Sequence, residues 1–418
     1  MSIYLEKIEL SNYRSCKKTT ISFNNELSAL IGPNGSGKSN ILNGILLLKK
    51  IARISRFRQE EDYPPSASKL RVWFNVDGST ILYQAIVSYI TNDRNLDEVV
   101  SAEQKWNFNE LTGEKKWFKL PLSLNVEINR FLPSDLSKLP KKEKIRILRK
   151  IGEFTDVDIP EDEKIIETIE KVNRFVTGIS YYSASQFTDP SKCPTSFEIE
   201  NERLSARAPR SGNEHFQFVY DLFFASKNRV DEYNEFLSVV GKDGIGLIDD
   251  LEFIELDVPS SFLQVFTGGR LARKEVKKTV VVPNFVIKGI TNRLSPNQLS
   301  EGTFKTLGII FYLITDRSRL LLLEEPEVCI HHGLLSSIIE LVKSFSQKKQ
   351  IIISTHSDFV LDALAPENVF LVKNDPKKGT LAQLVTNAMS AKEYKALKEY
   401  LSTSGNLGEF WRHGDLEK

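Results

Sequence analysis

Cysteine is scarce in this sequence, and long apolar runs are absent. Three of the 418 residues are cysteines, and Cys16, Cys193 and Cys329 are too widely spaced to suggest a disulfide framework or a metal site. The longest apolar runs, such as Leu320–Leu323, are far too short to span a membrane. The first residues also lack the basic and apolar regions of a signal peptide. We therefore expect a cytoplasmic protein without a membrane partner.

An excess of charge of either sign is lacking as well. The sequence has 56 Lys and Arg against 55 Asp and Glu, which argues against a uniformly basic nucleic-acid-binding protein. Two basic tracts, Lys138–Lys150 and Arg270–Lys278, could still contact a nucleic-acid backbone, and solvated surface is the alternative. The aromatic segment Trp106–Phe118 is predicted to form a hairpin core, with base stacking as the alternative.

What the sequence does contain is a glycine-rich loop, Gly32-Pro33-Asn34-Gly35-Ser36-Gly37-Lys38-Ser39, which fits the pattern G-x-x-x-x-G-K-[ST]. It lies between a predicted strand, Leu27–Ile31, and a predicted helix, Ser39–Lys50. Glycines let consecutive amides surround phosphates, and the helix N-terminus attracts the same anion. Lys38 would neutralise the β- and γ-phosphates of ATP, and Ser39 would bind Mg²⁺. The predicted nucleotide-binding residues of this segment are Gly32, Asn34, Gly35, Ser36, Gly37, Lys38, Ser39 and Asn40.

A second feature is a pair of carboxylates after a buried strand. Glu324 and Glu325 follow Leu320–Leu323 directly, and a continuous apolar run is typical of a strand in a parallel sheet covered on both faces. Glu324 could hold Mg²⁺ while Glu325 orients or deprotonates the attacking water. The alternative is a solvated helix start at Glu324–Glu327.

Two further segments have residues suited to phosphate chemistry. His356 follows the apolar strand Ile351–Ser354 and could hydrogen-bond a γ-phosphate, in a catalytic site with Lys38 and Glu325. In Leu299–Thr303, Ser300 and Gly302 open a predicted helix, whose hydroxyl and amides could bind a phosphate. The alternative for Ser300 is a simple helix cap.

Together, in this order, these segments resemble the ABC-type ATPases. Gly32–Ser39 resembles Walker A, Leu299–Thr303 a variant of the LSGGQ signature, Leu320–Glu325 Walker B, and His356 the switch histidine. Glu324 stands where Asp is more usual in that family. The resemblance implies ATP and Mg²⁺ as cofactors and ATP-dependent dimerisation, in which Ser300 and Gly302 would complete the nucleotide site of the other subunit.

Within that superfamily the chain looks like the RecF, SMC and OLD branch. Leu10–Ser15 resembles its L-x-N-[FY]-R-S turn, which implies that Arg14 helps to hold the nucleotide. Glu324–Glu327 with the later Ile330-His331-His332 resembles E-E-P-E…H-P, although His332 replaces the proline. Gln186, after a predicted strand, is a candidate Q-loop residue that senses Mg²⁺ or the γ-phosphate, with a surface glutamine as the alternative.

The predicted fold class is α/β, an ABC-type ATPase head with a mixed or parallel core sheet, an antiparallel β subdomain and a helical insertion. Residues 1–50 and 290–418 are expected to form the split ATPase core. Residues 51–178 would add hairpins and helices, and residues 179–289 the Q-loop strand and a helical, basic insertion. Few residues follow His356 and they lack an acidic cluster, so we expect no TOPRIM domain and no nuclease activity in this chain.

The resemblance therefore predicts an ATPase that forms a homodimer or higher homo-oligomer. It is similar to the stand-alone ATPases of prokaryotic anti-phage systems such as PARIS and Septu, which implies control of a separate nuclease or toxin, with DNA as a possible partner. The alternatives are a RecF-type repair ATPase and a nucleotide switch that does not hydrolyse ATP. A transporter subunit is disfavoured because the signature at Ser300 lies so far along the chain from Lys38.

Overall fold

The computed structural model describes residues 2–53, 66–91, 97–113, 115–123, 160–183, 189–200, 214–265, 271–287, 289–290, 292–328, 330, 332–403 and 405–412. Gln186, His331 and the tract Lys138–Lys150 lie outside the described residues. The chain forms two compact units. The first unit comprises Met1–Tyr182, Arg317–Glu325 and Val342–Lys418, and the second comprises Ser183–Asp316 and Pro326–Leu341.

The described residues form helices and strands in nearly equal measure. The helices are α1 Lys38–Ile51, α2 Asn109–Thr112, α3 Glu163–Thr177, α4 Glu214–Asn228, α5 Val230–Val240, α6 Glu301–Thr315, α7 His332–Ser346, α8 Asp358–Asp362, α9 Val385–Ala388, α10 Ala391–Thr403 and α11 Leu407–Arg412. The strands are β1 Ile3–Tyr13, β2 Cys16–Ser22, β3 Leu27–Ile31, β4 Ser68–Val76, β5 Ser79–Thr91, β6 Asp97–Asn107, β7 Trp117–Phe118, β8 Ser180–Ser183, β9 Phe197–Glu200, β10 Asp250–Val265, β11 Leu271–Val286, β12 Leu320–Glu324, β13 Gln350–Thr355, β14 Val369–Asp375 and β15 Gly379–Leu384.

The core sheet has six strands in the order β15-β14-β3-β13-β12-β8. Strands β14, β3, β13 and β12 run parallel to their neighbours in this order, and β15 is antiparallel to β14. Strands β3 and β13 are buried throughout, as their apolar sequences predicted for a parallel sheet covered on both faces. The prediction of an α/β fold with a mixed core sheet is therefore confirmed.

The first unit also contains an antiparallel sheet of six strands in the order β2-β1-β4-β5-β6-β7. A two-residue turn joins β4 to β5, with positive φ at Asp77 (51°) and Gly78 (91°), the conformation that Asp-Gly favours in a tight hairpin. The predicted aromatic hairpin core is observed beside it, except that Trp117 is exposed. Trp106 and Phe108 are fully buried, and the Trp106 indole N–H donates to Leu120 O at 3.0 Å, so these rings do not face solvent for base stacking.

The second unit pairs a small sheet, in the order β10-β11-β9, with helices. The region predicted as a helical, basic insertion contains the helices α4 and α5, which are separated at Arg229. Residues 271–278 of its basic tract lie within strand β11. Residue-by-residue pairing with β10 continues through this segment, because the backbone ladder satisfies its hydrogen bonds whatever the side-chain charge. Among the residues described in either unit, no helix is long and apolar enough to cross a membrane.

Candidate functional site

The glycine loop joins the end of β3 to the start of α1 within the first unit. Gly35 and Gly37 have φ values of 82° and 103°, a left-handed conformation that side chains with a Cβ adopt at a cost. The loop therefore requires glycine at these two positions for its turn alone.

Close packing adds a second requirement for glycine. A Cβ on Gly32 would lie 2.2 Å from Val372 O, and one on Gly37 would lie 2.0 Å from Thr380 Oγ1. Both contacts are far inside normal atomic separations, so β14 and β15 lie directly against the loop. The loop conformation is thus fixed by its own backbone and by two strands from the far end of the chain.

Lys38 turns back along the loop that precedes it. Its Nζ donates to Gly32 O at 2.7 Å and to Pro33 O at 3.2 Å, and only 5% of the residue is exposed. A buried ammonium is costly unless it is surrounded by acceptors. The ammonium of Lys38 is thus held next to the loop, where a bound phosphate would compete for it with the two carbonyl oxygens.

The residues around the loop fit a phosphate. Helix α1 has no side-chain cap at Gly37 and no acidic residue in its first turn, so its N-terminal amides and positive dipole end are available to an anion. Ser36 Oγ is buried and has no hydrogen-bond partner among the described residues. A buried hydroxyl without a partner is unusual, and phosphate oxygens would satisfy it.

A network of hydroxyl and amide groups connects α1 to the β1–β2 turn and to β15. Asn40 Nδ2 donates to Ser15 Oγ at 2.6 Å, and Ser15 Oγ lies 2.7 Å from Thr380 Oγ1. The backbone of Thr380 also donates to Ser15 O at 2.8 Å, and Thr380 is fully buried. Asn40 was predicted to bind nucleotide, and here it anchors the helix to the β1–β2 turn. Sequence reasoning missed Thr380, which no local pattern marks.

Glu324 ends β12 and is half-buried. Its partner in the register of the parallel pair is Ser354 on β13. The Tyr181 hydroxyl, on the neighbouring strand β8, donates to Glu324 Oε2. Sequence reasoning missed Tyr181 because strand order, rather than sequence proximity, brings it to Glu324.

Glu325 occupies a strained position just beyond the strand. Its φ is 46°, a left-handed conformation that is uncommon for a residue other than glycine. Its N–H donates to Ser354 O at 2.9 Å, and its Oε1 lies 3.8 Å from Nδ1 of His356. The strained backbone therefore turns the carboxylate towards the histidine that follows β13.

Arg14 is held by an acidic residue from another part of the antiparallel sheet. Its φ is 49°, and its Nη2 lies 3.1 Å from Asp97 Oδ1. Burial raises the pKa of Asp97, but hydrogen bonds from Tyr13, Arg14 and Thr91 outweigh it, so that the pKa lies below its ordinary value. Sequence reasoning missed Asp97, and the role of Arg14 in holding the nucleotide stays a prediction.

The signature residues lie in the second unit. Ser300 is the N-cap of α6 and its Oγ accepts from Thr303 N at 3.1 Å, so the capping alternative is confirmed. Gly302 follows in the first turn of α6 and is half-buried. Their contact with a phosphate stays a prediction, as does the Q-loop role of Gln186, which falls outside the described part of the chain.

The magnesium prediction rests on Ser39 and Glu324. Ser39 is exposed in the first turn of α1. Among the described residues, no group of three or more His, Cys, Asp and Glu is clustered as an all-protein metal site. Mg²⁺ in nucleotide sites is usually held by one or two protein groups together with phosphates and waters, and Ser39 with Glu324 is a set of that kind.

Comparison with known families gives two overlapping matches. A family model described as an AAA ATPase domain matches residues 3–257, more than half of the chain. A second model, whose description names an AAA domain, the AbiEii toxin and type IV TA systems, matches residues 179–362.

Curated proteins are similar over shorter segments. The chromosome partition protein Smc of Methanocaldococcus jannaschii is 36% identical over 98 residues, which are 22% of this chain and 7% of that protein. The DNA replication and repair protein RecF of Leptospira biflexa is 30% identical over 105 residues, 25% of this chain and 29% of that protein. The matched segments thus span less than a third of the length of these relatives.

Solved structures with similar shape include two SMC heads. The SMC head domain from Thermotoga maritima aligns with a TM-score of 0.42 and 15% identity over 90% of this chain and 97% of that chain. An Smc head domain of Pyrococcus furiosus with an extended coiled coil, bound to the C-terminal domain of ScpA, aligns with a TM-score of 0.45 and 14% identity over 95% and 99%.

Proposed function

The chain belongs to the AAA ATPase domain family, and from that premise we propose that it binds ATP with Mg²⁺ and hydrolyses it in the cytoplasm. One observation carries the proposal. Strands β3, β13 and β12 are neighbours in one parallel sheet, and they end respectively at the glycine loop, before His356 and at Glu324. The carboxyl ends of adjacent parallel strands are where α/β proteins bind ligands.

Each of these groups has a role suited to phosphoryl transfer. Lys38 binds the β- and γ-phosphates, while Ser39 and Glu324 hold Mg²⁺, which when bound neutralises developing phosphate charge. Glu325 accepts a hydrogen bond from the attacking water and orients it or takes its proton. His356 donates a hydrogen bond towards the γ-phosphate from its position beside Glu325. Arg14 and Gln186 contribute further contacts to the nucleotide.

We propose that two copies of the chain associate when ATP is bound. Ser300 and Gly302 open α6, a helix whose N-terminus offers amides and a positive dipole end. In the proposed dimer these residues complete the nucleotide site of the partner copy, as the resemblance to ABC-type ATPases implies. ATP binding and hydrolysis would then form and release the association.

The ATPase cycle is proposed to control a separate effector, a nuclease or toxin, in anti-phage defence. The match to a family whose description names an AAA domain, the AbiEii toxin and type IV TA systems supports a role in a toxin-based system. A second candidate is DNA repair, which the similarity to RecF of Leptospira biflexa favours; DNA is then the partner. The neighbouring genes discriminate between them, because a nuclease or toxin gene favours defence and recombination genes favour repair.

Sedimentation velocity tests the proposed ATP-driven association. We expect Glu325→Gln, which retains bound ATP, to sediment faster with ATP and Mg²⁺ than with ADP or without nucleotide. Ser300→Arg is expected to lose that difference while it keeps ATP affinity. Asn292→Arg, at an exposed position of the same unit, is the matched control and should behave like the parent. Identical sedimentation under all three conditions would contradict ATP-driven association.

A further inference from the structure

His356 lies between two anchored segments. Strand β13 ends at the fully buried Thr355, whose Oγ1 accepts from Ser357 N at 3.0 Å across the histidine. The short helix α8 begins at the next residue, Asp358. His356 therefore lies in a short turn between β13 and α8. The direction of its side chain depends on the end of β13 and on the position of α8.

The C-terminal helix α11, which contains Gly408, packs closely against α8. A Cβ on Gly408 would lie 2.2 Å from Asp358 O and 2.3 Å from Asp362 Oδ1. Gly408 N also donates to Asp362 Oδ1 at 3.0 Å. Because one of these contacts is to backbone, no side chain could be accommodated without moving one helix away from the other.

Helix α11 is itself fixed to the chain that precedes it. Leu407 is 1% exposed, and Asn406 Oδ1 caps the helix by accepting from Glu409 N at 2.8 Å. The Tyr400 hydroxyl on α10 donates to Glu409 Oε2 at 2.9 Å. These contacts fix the position of α11, so that α11 can hold α8 in one position.

We propose that Gly408 is a positioning residue for hydrolysis. It allows α11 to seat on α8, and α8 then keeps His356 in its 3.8 Å relation to Glu325. The inference deepens the proposed function, since it assumes the catalytic role of His356 given above. The proposal gives α11 a role in catalysis even though no atom of α11 has to contact the nucleotide.

Gly408→Ala tests the proposal, with Lys395→Ala, at an exposed position on α10, as the control. We expect Gly408→Ala to lower kcat about tenfold or more, as small misplacements of reacting groups do, with KM for ATP within about twofold. Lys395→Ala should stay close to the parent.

A double-mutant cycle separates positioning from general loosening of the fold. In a His356→Ala background, Gly408→Ala should have no further effect on kcat, because coupled residues are non-additive. Independent, multiplicative effects of the two substitutions would overturn the proposal. So would an equal loss of kcat in Lys395→Ala and Gly408→Ala.

Hydrogen exchange supplies a readout that does not depend on turnover. Amides of residues 356–362 should exchange about tenfold faster in full-length Gly408→Ala than in the parent or Lys395→Ala, since the local opening is easier. If the parent turns over no ATP but this exchange still rises, the proposed activity fails and the positioning contact stands. If ATP is turned over and neither exchange nor kcat responds, the inference fails and the activity stands.

Discussion

The carboxylate of Glu325 and the imidazole of His356 are neighbours, with Oε1 3.8 Å from Nδ1. The separation is longer than a direct hydrogen bond, so no direct hydrogen bond joins these two atoms. Both side chains are partly open to solvent, at 32% for Glu325 and 43% for His356. They come from the ends of two adjacent parallel strands, and the positive φ of Glu325 directs one towards the other.

Glu325→Gln should abolish most ATP turnover and leave ATP binding intact. The amide cannot accept a proton from water, and loss of a general base lowers rates by roughly 10²–10⁴-fold. Steady-state phosphate release and a nucleotide titration measure the two quantities. Glu26→Gln, at an exposed residue before β3 and so at the opposite end of that strand, is the control. Unchanged turnover in Glu325→Gln would show that Glu325 is not the base and leave a non-hydrolysing switch as the better interpretation.

Lys38→Ala should abolish ATP binding. The substitution removes the ammonium at the mouth of the loop, and charge-assisted hydrogen bonds of this kind are worth about 1.5–3 kcal/mol each. Calorimetric titration should therefore give an affinity at least about tenfold to a hundredfold weaker. Lys18→Ala, at an exposed position on β2, should bind ATP like the parent. Equal affinities in the two variants would refute the assignment of the phosphate loop.

Backbone strain at Glu325 predicts an unusual order of stability. Because φ is positive there, Glu325→Gly should be more stable than Glu325→Ala by about 1 kcal/mol. At Glu324, within β12, the order should reverse, since glycine in a strand costs roughly 0.5–1 kcal/mol relative to alanine. Urea unfolding of the four variants measures both differences. If the alanine variant were more stable than the glycine variant at both positions, no strain would be held at Glu325.

Asp221 predicts a pH dependence in the second unit. Burial raises its pKa to about 6, against hydrogen bonds from Tyr312 and Gln217 and the charge of Arg229. A raised carboxyl pKa stabilises the fold fully below the ordinary value of 3.8, and that stability is lost as the pH rises through about 6. Asp221→Asn should remove this decline.

Urea unfolding between pH 3.8 and about pH 6 measures the decline in stability in the parent, in Asp221→Asn and in Asp243→Asn. Asp243 is exposed in the same unit and serves as the control, so its variant should follow the parent. A decline of the same size in the parent and in Asp221→Asn would mean that another group is responsible.

Local patterns were reliable where a short contiguous segment specifies its own conformation. The loop Gly32–Ser39 and the Ser300 cap are of this type, because sterics and nearby hydrogen bonds decide them. The basic segment of β11 was missed, since its charges obscure a strand that pairing with β10 maintains. Strand propensity depends on such context more than helix propensity does.

The amino-acid pattern alone predicts a glycine-rich loop before a helix, and two apolar strands of which one ends at Glu324 and the other just before His356. The contacts between distant groups come from the folded chain: Glu325 with His356, Tyr181 with Glu324, Arg14 with Asp97, and Gly408 with Asp358. The physical reason is that a glycine's φ depends on its own backbone, whereas a contact between distant residues depends on the order in which strands pair and helices pack. That order is set by burial of the whole core, which no single segment encodes.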